Sequence, residues 1–99
     1  MKLKIHSIHF DANQKLVDFI QEKVDKLDHF FDRIIDGEVY LRLDKASNNE
    51  NKVAEIRLNV PGSNLFAKKQ TKSFEESTDQ AVEALRRQVK KHKEKLKPA

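Results

Sequence analysis

Residues 6–11, His-Ser-Ile-His-Phe-Asp, hold the residue types of a serine hydrolase relay and an H-x-x-H pair that could offer two imidazoles to a metal. Their spacing argues against both. On a strand, His6 and His9 point to opposite faces, and one short segment cannot fold its own Ser, His and Asp into relay geometry. His29 and His92 stand alone in the sequence. Only two glycines are present, too few for a phosphate-cradling loop, and there is no cysteine for disulfides, thiol chemistry or metal ligation. The adjacent acids Glu75 and Glu76 fall where a helix begins, a place for solvated carboxylates. The sequence therefore predicts no catalytic residue, no metal site, no cofactor and no small-molecule substrate.

The basic residues carry a different chemistry. The run RRQVKKHKEKLK, residues 86–97, sets Arg86, Arg87, Lys90, Lys91, Lys93, Lys95 and Lys97 against the single acid Glu94. The net charge is only +4, so the rest of the chain is slightly acidic. Such asymmetry points to a polyanionic partner. Arg86, Lys90, Lys93 and Lys97 share a helix face at i, i+4, i+7 and i+11, and Arg87, Lys91 and Lys95 form a second row. Lys15, Lys23 and Lys26 lie off the apolar face of an earlier helix, with Arg33 at its end. Two such helices side by side would make a positive platform that tracks phosphates without reading bases. The competing reading is a solvated helix end whose cations suit the macrodipole, and composition does not decide between them.

The elements that must position these residues follow from hydrophobic period. Residues 2–10 begin by alternating, with Leu3 and Ile5 on one face and Lys2, Lys4 and His6 on the other, a strand signal. Asp11 or Asn13 caps a helix, Asp11 and Gln14 having capping-box spacing. Leu16, Ile20, Val24, Leu27 and Phe31 form its stripe, widened by Val17 and Phe30, and it ends near Asp32. Asp36-Gly37 reads as a turn. Val39, Leu41 and Leu43 then alternate with Tyr40, Arg42 and Asp44. The loop SNNEN leads to Ala54, Ile56, Leu58 and Val60 inward, and Pro61-Gly62-Ser63-Asn64 turns into the weaker edge strand LFAKKQT. A last helix starts near Ser73, buries Phe74, Ala81, Val82, Leu85, Val89 and Leu96, and stops at Pro98.

The expected fold is α+β, in the order β-α-β-β-β-α, with two helices packed on one face of a four-stranded mixed sheet. The first two strands are parallel, joined by a right-handed crossover. At 99 residues the chain is one domain. It has no apolar run fit for a signal peptide or a membrane span, so no membrane partner is expected and the cytoplasm is the default location. On the sheet's outer face, Tyr40, Arg42, Arg57, Phe66 and Lys68 resemble a base-stacking platform. Glu38, Asp44 and Glu55 share that face and weaken its potential, which favours ordinary cross-strand pairs.

The segment FIQEKVDKLDHFFDRI, residues 19–34, followed by three strands and SFEESTDQAVEALRRQVKKHKEKLK, residues 73–97, closely resembles the ribosome hibernation promoting factor family. That family includes the ribosome-associated inhibitor A proteins and once bore a sigma-54 modulation label. The most specific parts are Lys23, Lys26, Leu27, Phe31, Arg33 and Ile34, and the basic ending. Where the family pattern has Ala-Ile before the last helix's Asp, this chain has Ser77-Thr78 before Asp79.

The resemblance implies a fold similar to double-stranded RNA-binding domains. It also implies binding to the small ribosomal subunit in the mRNA and tRNA channel, at the A and P sites, with inhibition of translation in starvation or stationary phase. It points to ribosomal RNA contacts at Lys23, Lys26 and Arg33, and at Arg86, Arg87, Lys90, Lys91, Lys93 and Lys95. The chain ends two residues after Lys97, which implies a short form without a C-terminal dimerisation domain, expected to be a monomer in isolation. The alternatives are a general double-stranded RNA-binding module without ribosome specificity and a protein-interaction modulator.

Overall fold

A computed structural model describes residues 1–46 and 48–96. The order is β1 (Lys2–Ser7), α1 (Gln14–Asp25), a 3-10 turn (Lys26–His29), β2 (Asp36–Leu43), β3 (Lys52–Val60), β4 (Ser63–Thr71) and α2 (Phe74–Lys95). The strands form one sheet in the order β1-β2-β3-β4, parallel between β1 and β2 and antiparallel elsewhere. This is the expected architecture. α2 lies over β3 and β4, and α1 lies against α2. The stop at Pro98 and the position of Lys97 lie outside the described residues, as does Ser47 in the expected loop.

One core joins the layers. Ile20 and Val24 of α1, Leu27 of the 3-10 turn, Val39 and Leu41 of β2, Ile56 and Leu58 of β3, and Leu85 and Val89 of α2 are all fully buried. Each such side chain contributes about 1.5–3 kcal/mol relative to exposure. α1 and α2 run in the same direction. Phe10, just before α1, stacks on Phe74 at the start of α2, with ring centroids 5.0 Å apart. Lys23 meets Asp79, and Phe31 meets His92. The late, basic part of α2 therefore lies beside the segment that follows α1.

Four local expectations change. β1 ends at Ser7 instead of Phe10, because His9 takes a left-handed backbone (φ 65°) that turns the chain toward α1. Asn13 caps α1, its Oδ1 accepting from the Leu16 amide at 2.9 Å, so Asp11 and Gln14 do not form the capping box. α1 ends at Asp25 and tightens into the 3-10 turn well before Asp32. Asp36-Gly37 is the start of β2 and not a turn. Gly37 is a point of close approach: a Cβ there would stand 3.0 Å from the methyls of Leu3 and Leu58 and 3.3 Å from the Arg57 carbonyl oxygen.

Candidate nucleic-acid interface

The rotation of α2 decides where its cations point. Ser73 caps the helix, its Oγ accepting from the Glu76 amide at 3.1 Å, with Glu75 and Glu76 in the first turn. Ser77, Thr78, Ala81, Leu85 and Val89 are buried. That stripe splits the basic end into two flanks. On one, Arg86, Arg87, Lys90 and Lys93 line a recess of about 270 Å3 together with Phe30. On the other, Lys91 and Lys95 stand with Gln88 and His92 above the start of β4. The expected second row of Arg87, Lys91 and Lys95 is thus divided, with Arg87 joining the first row.

Gln88 fixes this rotation. Its Nε2 donates to the Phe66 carbonyl at 2.7 Å, and its Oε1 accepts from the Phe66 amide at 3.2 Å. The side-chain amide thereby satisfies one residue of an edge strand whose outer backbone groups have no strand partner. His92 is half-buried, edge-on to Phe31 with centroids 5.7 Å apart. It belongs to the packing of the basic end.

The segment after α1 supplies the recess wall. The 3-10 turn changes the phase of the apolar stripe: Leu27 and Phe31 stay buried, while Phe30 turns out, 45% exposed. Lys93 Nζ donates to the Phe30 carbonyl at 3.2 Å, and the Arg86 guanidinium stands 5.6 Å over the Phe30 ring. Lys26 and Arg33 are exposed on either side of Phe30 in the chain, Arg33 in the turn before β2 instead of on a helix. Lys23 lies elsewhere. It is partly covered, pairs with Asp79 at 3.2 Å and lies over the Phe19 ring. It ties α1 to the acidic half of α2, away from the basic recess.

Charge at the recess is little neutralised from within. Arg86 pairs with Glu83 at 2.8 Å, which holds the Glu83 carboxyl below its usual range and raises Arg86 further. The pair is exposed at both ends, so it contributes a few tenths of a kcal/mol, about 0.2–0.5 for helix neighbours. Among the described residues, Arg87, Lys90 and Lys93 make no ion pair. The flank is therefore a surface of available cations around one exposed aromatic ring. Phe30 was missed by the sequence reading, which placed it on the apolar stripe. Its signal was redundancy: Leu27 and Phe31 already complete that turn, leaving Phe30 without a core position.

The outer sheet face is internally paired. Glu38 accepts from the Tyr40 hydroxyl at 2.7 Å and lies 3.1 Å from His6 Nε2. These contacts hold its carboxyl below its ordinary value. His6 stacks on Tyr40 with centroids 4.8 Å apart, and Arg57 stands between the Tyr40 and Phe66 rings at 5.7 and 5.5 Å. Glu55 takes both Arg42 and Arg57. This matches cross-strand pairing more than an open stacking platform. Among the described residues, no group of three His, Asp or Glu is placed to hold a metal ion, and no helix is long and apolar enough to cross a membrane.

Comparisons with known proteins bear on the same architecture. Residues 3–97 match the family described as Sigma 54 modulation protein / S30EA ribosomal protein. A ribosome hibernation promoting factor from Pseudomonas putida is 32% identical over 95 residues, covering 96% of this chain and 89% of that protein. The protein of that name from Escherichia coli is 30% identical over 97 residues, covering 98% of each. A ribosomal subunit interface protein from Coxiella burnetii shares the fold, with a TM-score of 0.84 at 18% identity over 94% of this chain and 98% of that one. The N-terminal domain of Protein Y from Thermus thermophilus gives 0.81 at 25% identity, over 93% and 99%. The family match runs through every strand and both helices, and it includes the basic recess, so this chain belongs to the Sigma 54 modulation protein / S30EA ribosomal protein family, alongside the ribosome hibernation promoting factors.

Proposed function

We propose that this protein is a non-catalytic ribosome hibernation factor. Residues 1–99 act as one RNA-binding domain that occupies the mRNA and tRNA channel of the small subunit, at the A and P sites, and blocks translation in starvation or stationary phase. The observation that carries this reading is the convergence of Arg86, Arg87, Lys90 and Lys93 on one flank of α2, in a chain whose relatives are named for ribosome hibernation. Lys26 and Arg33 extend the flank, Lys91 and Lys95 reach a second stretch of phosphates, and Lys23 acts by holding α1 to α2. Contacts of this kind follow backbone shape and phosphate, as suits folded RNA. Inhibition then needs no reaction: the bound domain excludes mRNA and tRNA by its volume. The protein works as a cytoplasmic monomer.

Co-sedimentation with vacant small subunits tests this. Purified protein should co-migrate with the subunit at near-physiological salt and be lost when mRNA and tRNA are bound first. Excess duplex RNA should barely strip it. Failure to co-migrate overturns the proposal, and ready removal by duplex RNA replaces it with a general RNA-binding module.

A further inference from the structure

The recess on the α2 flank holds something that phosphate binding does not require. Phe30 exposes 45% of its surface at the centre of four cations. Its neighbour Phe31 is 5% exposed and seals the core, so the Phe-Phe pair divides between packing and display. The displayed ring is held in place from both sides. Its amide donates to the Leu27 carbonyl at 3.0 Å, and its carbonyl accepts from Lys93 Nζ at 3.2 Å. Arg86 lies over the ring at 5.6 Å, restrained only by its exposed pair with Glu83, which is easily released.

We infer that the recess is a binding site for one unpaired nucleobase of RNA, stacked on Phe30, with its flanking phosphates on Arg87, Lys90 and Lys93. The inference rests on the RNA-contact reading above and adds a base-binding site to it. The occupant follows from complementarity. An apolar ring face selects a π-face, which every base has, and three nearby cations select the anionic backbone on either side of it. Arg86 can close over the base, since guanidinium planes stack on bases as aromatic rings do. The volume of about 270 Å3 suits one ring system, not a base pair. The base must therefore be bulged, looped out or single-stranded, the state in which RNA offers bases to aromatic side chains.

The test uses two RNA hairpins, one with a single bulged adenine and one with an abasic residue at the same place. At low salt the full chain should bind the adenine hairpin more tightly by roughly 5- to 150-fold, the range for one base–aromatic stack. Phe30→Leu should erase that preference while keeping the salt dependence, and Phe30→Tyr should retain it. Equal affinity of the native protein for both hairpins, or binding to neither, overturns the base site. Small-subunit co-sedimentation separates the two claims. If the native protein still co-sediments while ignoring the adenine, the base site falls and the ribosome reading stands. If it prefers the adenine but does not co-sediment, the base site stands and the ribosome reading falls.

Discussion

At the scale of single residues, the structure shows which polar groups are satisfied and which are not. Ser77 and Thr78, at the family's Ala-Ile positions, are both fully buried. Ser77 Oγ donates to the Lys52 carbonyl at 2.6 Å and shares a hydrogen with Thr71 Oγ1 at 2.8 Å, joining α2 to β3 and β4. Thr78 Oγ1 is buried with no partner. Thr78→Val keeps the shape and removes an unsatisfied oxygen, so chemical denaturation should show equal stability or a gain of up to about 1 kcal/mol. Ser77→Ala should cost about 1–3 kcal/mol by orphaning its acceptor. Glu38 makes a pH-dependent contribution. Tyr40 and His6, with Lys4 alongside, hold its folded carboxyl below the ordinary 4.5. Its stabilisation is complete above 4.5 and is lost as pH falls through the lowered value. Between those two values the native protein should lose stability faster than Glu38→Gln when urea midpoints are followed against pH. Parallel curves would show that the contacts with Tyr40 and His6 contribute nothing. The sequence showed the family replacement at Ser77-Thr78, but not that the two hydroxyls would fare differently, because that depends on a carbonyl 25 residues away.

At the scale of elements, period-2 and helical spacing recovered every strand and both helices, and the failures fall where local signals compete with tertiary contacts. Asp36-Gly37 has turn chemistry, yet Gly37 pairs with Leu3 and Leu58 in neighbouring strands, and its missing Cβ lets those methyls meet. Gly37→Ala should therefore destabilise by about 1–3 kcal/mol, the usual cost of overpacking, with the folded circular dichroism spectrum retained. A neutral result would mean that the Leu3 and Leu58 methyls move aside freely. The 3-10 turn was hidden for a related reason: the apolar residues of 16–31 fit one long helix, and nothing local marks Lys26 as the start of a tighter turn. That change of phase is what turns Phe30 outward. The two basic rows of α2 were legible as rows. Their division into a recess flank and a β4 flank was not, because it depends on Gln88 gripping the Phe66 backbone.

At the scale of the whole molecule, the body measures 48 × 26 × 18 Å, and charge is graded along it. α2 spans about 33 Å. It begins with Glu75, Glu76, Asp79 and Glu83 and ends with its cations, so the molecule presents one basic end to a polyanion. Net charge of +4 would by itself give weak, unoriented attraction. The graded arrangement fixes which end arrives first, and the recess fixes which flank docks. Two double variants separate these effects, because each changes net charge by the same amount. Lys90→Glu with Lys93→Glu strikes the recess flank, and Lys91→Glu with Lys95→Glu strikes the β4 flank. If only overall charge mattered, both pairs would weaken small-subunit binding equally. The recess pair should instead weaken it at least about tenfold more, a difference of about 1.4 kcal/mol. Neutral Lys90→Gln with Lys93→Gln should lower the slope of log affinity against log salt by about 1–2 units, one for each lost phosphate contact. Both variants should keep the native urea midpoint, since the two lysines are exposed. Equal losses from the two charge-reversed pairs would show that the basic end attracts the ribosome without being docked on this flank.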